Sequence, residues 1–141
     1  MQLAIDVGPP QDFGEVGGVI RRCVPIVGGT VSGALEGEVL SGGADWQLIA
    51  PDGSVDIAAR YALRLTGGLV EVESKGVRHA SPEVQERIRK GEPVTPDDIY
   101  FRTAIRFRTS APDLAYLNTL LAISRGFRPA QQVMLTVYRV P

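Results

Sequence analysis

The sequence predicts an all-β protein, an antiparallel closed β-barrel of about 8–10 strands with one short helix. Three observations point there. Apolar and polar residues alternate with period two in segment after segment, glycine pairs punctuate the alternation at hairpin spacing, and only one segment carries both the start and the stop signals of a helix.

The elements follow in order. Leu3, Ile5 and Val7 alternate with polar or small residues and open the chain as a strand. Gly28-Gly29-Thr30-Val31-Ser32-Gly33 is glycine-rich, but it lacks the Gly-Lys-Ser/Thr ending of a phosphate loop, so a bulged turn between strands is expected. Strands at Glu36–Leu40, Ala44–Ala50, Val55–Thr66 and Leu69–Val77 are separated by Gly42-Gly43, Asp52-Gly53 and Gly67-Gly68. Such pairs accept positive φ at no steric cost, which predicts an antiparallel meander. Ala59, Tyr61, Leu63 and Leu65 share one face, and Arg60, Arg64 and Thr66 share the other.

The helix comes next. Ser81 is an N-cap, Pro82 suits the first helical position, and Glu83 faces the positive end of the dipole. Arg87, Arg89 and Lys90 face the negative end before Gly91 stops the helix. Pro93 and Pro96 carry a loop to the strand Tyr100–Thr109, where Phe101, Ile105 and Phe107 oppose Arg102, Arg106 and Arg108. A turn of helix at Asp113–Asn118 follows Pro112. Strands at Thr119–Arg125 and Gln131–Val140, linked through Gly126 to Pro129, end the chain. So many short strands must stack as two sheets or close on themselves to remove exposed edges. Closure is favoured because several strands are amphipathic on both faces, as a polar-lined lumen requires; a sandwich is the alternative.

Length and composition bound the rest. The 141 residues, 15.2 kDa, fit one domain, residues 1–141. Cys23 is the only cysteine, so no intrachain bridge forms. Fifteen basic and sixteen acidic residues give a net charge of −1, without the basic stripe that draws in a phosphate backbone, so no nucleic-acid partner is expected. No apolar run reaches the roughly 20 residues of a membrane span, and the N-terminus lacks the pattern of a leader. A soluble, cytoplasmic protein is expected. One His and one Cys make a poor zinc set, and Asp97-Asp98, without a calcium-loop spacing, reads as a cap after Pro96. No metal and no cofactor are expected.

The chemistry-bearing candidates are few. His79, at a strand end, is the only imidazole available to a Ser–His–acid set, and a solvated role is the commoner one. All basic residues but Lys75 and Lys90 are arginines. Arg60 with Arg64, and Arg102 with Arg106, share strand faces; their planar forks suit a ligand carboxylate, or Glu71, Glu73 and Asp45 on neighbouring strands. In Ala44-Asp45-Trp46-Gln47 alternation sends Asp45 and Gln47 to one side and Trp46 to the other. If the Asp45 face is the lumen, desolvation raises the carboxyl pKa and fits it for acid–base work; if Trp46 is inside, it is an aromatic wall.

Several spaced motifs carry a resemblance. Val24-Pro25-Ile26-Val27-Gly28-Gly29-Thr30, Gly42-Gly43-Ala44-Asp45-Trp46-Gln47, Ala59-Arg60-Tyr61, Gly76-Val77-Arg78, Gly91-Glu92-Pro93-Val94, Tyr100-Phe101-Arg102-Thr103, Arg106-Phe107, Leu117-Asn118 and Val137-Tyr138 together resemble domain-of-unknown-function family 3237, the UPF0311 proteins, over about Gly17–Val140. The resemblance implies a lipocalin-like, calycin-type barrel. It also implies site candidates at Asp45, Trp46, Arg60, Tyr61, Arg78, Tyr100, Arg102, Arg106 and Asn118. Ala58 and Tyr116 depart from the Asp and Trp that relatives often carry there.

Three functions follow as expectations. An enzyme would isomerise, cyclise or dehydrate a small aromatic or polyketide-like molecule without a cofactor: Asp45 is the base, Tyr100 or Tyr61 the donor, and Arg102 or Arg106 the anchor. A non-catalytic binder of an apolar carboxylate would use Trp46, Phe101, Phe107 and Tyr116 as walls and arginines for the carboxylate. A solid barrel would instead work through the surface of a homo-oligomer, for which a dimer through an uncovered edge strand is the simplest form.

Overall fold

Strand pairing closes the chain on itself. In the computed structural model, which describes residues 1–129 and 131–141, ten strands are present: β1 (Gln2–Val7), β2 (Gln11–Val16), β3 (Val19–Ser32), β4 (Gly37–Val39), β5 (Gly43–Ile49), β6 (Val55–Leu65), β7 (Gly68–Ala80), β8 (Ile99–Arg108), β9 (Ala122–Phe127) and β10 (Gln132–Arg139). Helix α1 (Pro82–Arg89) follows β7, and 3₁₀ segments Pro96–Asp98 and Pro112–Thr119 flank β8. Consecutive strands β5 to β10 pair antiparallel, β10 pairs with β1, and β1 pairs with β3, which completes the circuit through β5. The fold is thus a closed eight-stranded antiparallel barrel with two extra strands.

The extra strands arise because the 14-residue β3 is longer than either neighbour on each side. Its first half pairs with β2 and β5, its second half with β1 and β4. This corrects the expected meander at Gly42-Gly43. β4 and β5 do not pair with each other but lie end to end between β3 and β6, and Gly42 N–H donates to Ile26 O where one gives way to the other. The glycine-rich Gly28–Gly33 stretch is likewise mostly strand rather than turn. A bulge places Val27 as an extra residue opposite the Asp6/Val7 step, and Gly29 takes φ 142°. A Cβ there would meet Ala4 O at 2.1 Å, so β1 and β3 close only against glycine.

Other boundaries follow from packing. Ser81 Oγ accepts from Val84 N–H at 3.2 Å and starts α1 where its cap chemistry predicts. Asp98 Oδ2 accepts from Thr95 N–H at 2.7 Å, the cap expected after Pro96, while Asp97 pairs with Arg125. The second 3₁₀ segment runs on to Thr119 because Leu114 and Leu117 are both drawn into the core, and β9 therefore starts later than its sequence predicts. β9 also runs through Gly126, against whose backbone the Phe101 ring lies.

Alternation decides what points inward. Val55, Ile57, Ala59, Tyr61, Leu63 and Leu65 of β6 are all buried, and so are Phe101, Thr103, Ile105 and Phe107 of β8. Ser74, Thr103 and Ser124 form a buried hydroxyl ladder across β7, β8 and β9, with oxygens 2.8 and 2.7 Å apart, so these polar side chains are satisfied inside the wall.

Candidate functional site

The barrel has two unlike halves. Around the β6–β7 turn, Leu63, Leu65, Val70, Val72, Ile105 and Phe107 meet Leu114 and Leu117 in solid apolar packing. Toward the other end the inward positions hold smaller or polar side chains, including Ala59, Ser74 and Thr103, and a cavity of about 40 Å³ remains. Ile5, Val24, Ile26, Ile57 and Leu135 supply its apolar wall, and Phe101 one aromatic face. A water needs at least about 10–15 Å³ of such space, so the innermost part of the cavity is a few waters in size.

Its polar groups come from β5, β6, β7, β8 and the β9–β10 link. Asp45 and Gln47, two residues apart on β5, both face inward. Ala58 N–H donates to Asp45 Oδ1 at 3.0 Å, and Gln47 Nε2 donates to Asp45 Oδ2 at 2.7 Å. Burial raises the Asp45 pKa above the ordinary carboxylate value, against the opposing pull of these two bonds and of the Arg78 and Arg128 charges. Tyr61, 4% exposed, lines the same space; burial, and then the Asp45 charge, push its pKa up, so the phenol stays protonated. Among the described residues its hydroxyl has no hydrogen-bond partner, and neither does Oε1 of Gln47, which is 2% exposed.

Arginines complete the site. Arg78 on β7 sits in register with Val55 and Phe101, two buried inward residues, and its guanidinium lies 5.8 Å from the Phe101 ring centroid. Burial, and next the Arg128 charge, pull its pKa down to about 10. Arg128, just after β9, lines the cavity too; its pKa is lowered by burial and then by the charge of Arg22. Arg22 is half-buried on β3 in register with Gln47, which puts it on the inward face.

The structure brings together Asp45, Tyr61 and Arg78 of the predicted site residues and places the others elsewhere. Trp46 faces outward, stacked on Phe13 with centroids 5.7 Å apart and with Arg21 5.4 Å from its ring centroid. Arg60 pairs with Glu71 and Glu73 outside the barrel. Tyr100 is exposed under the Arg102 guanidinium, 4.9 Å away, and Arg106 is exposed in register with Glu73. These side chains cannot reach the lumen, because each neighbours an inward residue on its strand and alternation turns it out. Phe107 does point inward, but into the solid half. Tyr116 is exposed on the second 3₁₀ segment. Asn118 there accepts from Thr109 N–H at 2.8 Å and donates to Thr109 O at 2.9 Å, tying that segment to the end of β8. Of the four expected aromatic walls, only Phe101 reaches the cavity.

Sequence reasoning passed over Arg22, Arg128, Ser74 and Thr103, and treated Gln47 only as a neighbour of Asp45. Alternation along β3 marks Arg22, two residues before Val24. Nothing local marks Arg128, which lies between strands. His79 is exposed at the end of β7 and Cys23 is buried, and neither lines the cavity. Among the described residues, no three His, Cys, Asp or Glu side chains gather as a metal site would need.

Comparison with known proteins agrees with this fold. A UPF0311 protein of Bradyrhizobium diazoefficiens is 39% identical over 135 residues, covering 95% of this chain and 89% of the relative. The crystal structure of a conserved protein of unknown function from Rhodopseudomonas palustris matches with a TM-score of 0.91 and 38% identity, over 99% of this chain and 93% of that one. An enzyme from Penicillium herquei shares the fold at a TM-score of 0.69 and 17% identity, over 98% of this chain and 91% of the enzyme. The family described as "Protein of unknown function (DUF3237)" matches residues 1–140, and the chain belongs to that family.

Proposed function

We propose that the barrel cavity takes up a small organic molecule and that Asp45 moves a proton on it, in a cofactor-independent isomerisation, cyclisation or elimination of a small aromatic or polyketide-like substrate. One observation carries this reading: a desolvated carboxylate with a raised pKa lines the same cavity as a protonated phenol that has no hydrogen-bond partner among the described residues. A carboxylate so placed is a stronger base than one in water, and general acid–base catalysis of this kind contributes typically about 10²–10⁴-fold. As Asp45 takes a proton from carbon or hydroxyl, negative charge develops on a substrate oxygen, and the Tyr61 O–H donates to it. In an isomerisation or cyclisation Asp45 then returns its proton at the product position, and in an elimination it passes that proton to the departing hydroxyl, which leaves as water, so the site regenerates itself. The Penicillium herquei enzyme supports the reading that this fold has room for a reaction.

The test is Asp45→Asn. The amide keeps the acceptor for Ala58 N–H and donates to Gln47 Oε1 once that amide flips, so the fold is retained. Product formation from a panel of hydroxylated aromatic and β-keto compounds, followed by mass spectrometry, falls about 10²–10⁴-fold while binding persists. Unchanged turnover removes Asp45 from the mechanism. The largely apolar wall of the cavity supports a second reading, a non-catalytic binder of a small apolar carboxylate, for which the wild-type protein returns every bound ligand chemically unaltered.

A further inference from the structure

Resting on the reading that the cavity is the site, we infer that its ligand is a hydroxylated organic acid, held by its carboxylate among Arg22, Arg78 and Arg128 at the mouth and by its hydroxyl between Tyr61 and Gln47 inside. Two independent observations meet in this assignment. The first is charge: three inward-facing arginines gather at one end of the barrel, and among the described residues no carboxylate lies within ion-pair distance of any of them. Among the described residues Asp45 is the one acid lining the cavity, and it leaves the cluster with an excess of positive charge. Burial, and then their mutual repulsion, disfavour the charged forms of Arg78 and Arg128, and an incoming anion offsets that repulsion. Planar guanidinium forks are suited to a carboxylate.

The second is the pair of orphaned groups. Among the described residues Tyr61 O–H is a donor without an acceptor, and Gln47 Oε1 is an acceptor without a donor, both on side chains more than nine-tenths buried. They do not satisfy each other. A ligand carbonyl would serve Tyr61 alone, whereas a hydroxyl accepts from Tyr61 and donates to Gln47. Both groups are already unmet in the free protein, so a hydroxyl gains two hydrogen bonds that an unsubstituted ring does not, and the site discriminates for the hydroxyl. The small inner volume admits the hydroxyl end, and the rest of the molecule lies across the mouth, where Phe101 and the arginine stems meet it.

Calorimetry with 3- and 4-hydroxyphenylacetate, phenylacetate and the two hydroxyphenylacetamides tests each part. At least one hydroxy acid binds, tightens as salt is lowered, and outcompetes both phenylacetate and its own amide by tenfold or more. Arg78→Gln and Arg128→Gln each weaken that acid by tenfold or more without lowering the melting temperature, because each substitution relieves repulsion. Tyr61→Phe closes the gap between the hydroxy acid and phenylacetate and leaves the gap between acid and amide. Amides binding as tightly as acids, a doubly substituted Arg78→Gln, Arg128→Gln protein retaining full affinity, or no acid binding at millimolar concentration overturns the inference. Asp45→Asn separates it from the catalytic reading. Loss of turnover in that variant, with acid and amide bound alike, sinks only the present inference; arginine-dependent binding with turnover intact sinks only the role of Asp45.

Discussion

The two halves of the barrel are built from the same strands by the same alternation, yet one is solid and the other hollow. Along β6 the inward series runs Val55, Ile57, Ala59, Tyr61, Leu63, Leu65, and the change falls between Tyr61, which lines the cavity, and Leu63, which does not. β7 passes from Val70 and Val72 to Ser74 and Arg78, and β8 from Phe107 and Ile105 to Thr103 and Phe101. The lower half is closed by Leu114 and Leu117 from outside the sheet; the upper half carries the polar groups. In this barrel a shared period sets direction, while side-chain volume and polarity set use.

Substitutions two residues apart on β6 sharpen this contrast. Leu63→Ala, at a position with 0% exposure, opens a void in packing that cannot collapse and costs about 2–5 kcal/mol in denaturant unfolding. A cost under about 1 kcal/mol would mean that the lower half is also loosely filled. Tyr61→Phe removes an orphaned hydroxyl rather than a contact, so stability stays level or rises by up to about 1 kcal/mol. A clear loss there would show that the hydroxyl is paired in the free protein.

The smallest effect is on pH dependence. Because the native pKa of Asp45 is raised, the folded state holds this proton more tightly than the unfolded chain does. The stability it contributes is complete below the ordinary value of 3.8 and is lost as pH rises through the raised native value. Comparing unfolding free energies of the wild type and Asp45→Asn across that interval, the wild type declines relative to the variant with increasing pH. A rise instead would place a hydrogen-bonded, stabilised carboxylate at this position and break the contrast between the halves.

Much of the frame was legible because it is local. Ser81 and Pro82 mark the start of α1, Asp52-Gly53 and Gly67-Gly68 mark real hairpin turns, and Arg60, Arg64, Arg102 and Arg106 lie outside as alternation requires. Gly42-Gly43 misled, since the same residue pair serves a hairpin or a step between two strands in line, and only the length of β3 opposite decides between them. The site was legible in part. Asp45 and Gln47 share a face by spacing alone, but Trp46, Tyr100 and Tyr116 drew attention as aromatics although their faces turn to solvent. Arg128 carried no periodic signal.

The amino-acid order by itself determined the inward and outward faces of each strand, because the pleat of an extended backbone repeats every two residues wherever that strand lies. It also determined the helix, whose caps are made by neighbours in the chain. Only the tertiary structure decided which end stays hollow and that Arg22, Arg78 and Arg128 meet there beside Asp45. A cavity is the difference between the space the closed strands enclose and the summed volume of side chains from all of them, and no single segment contains that difference.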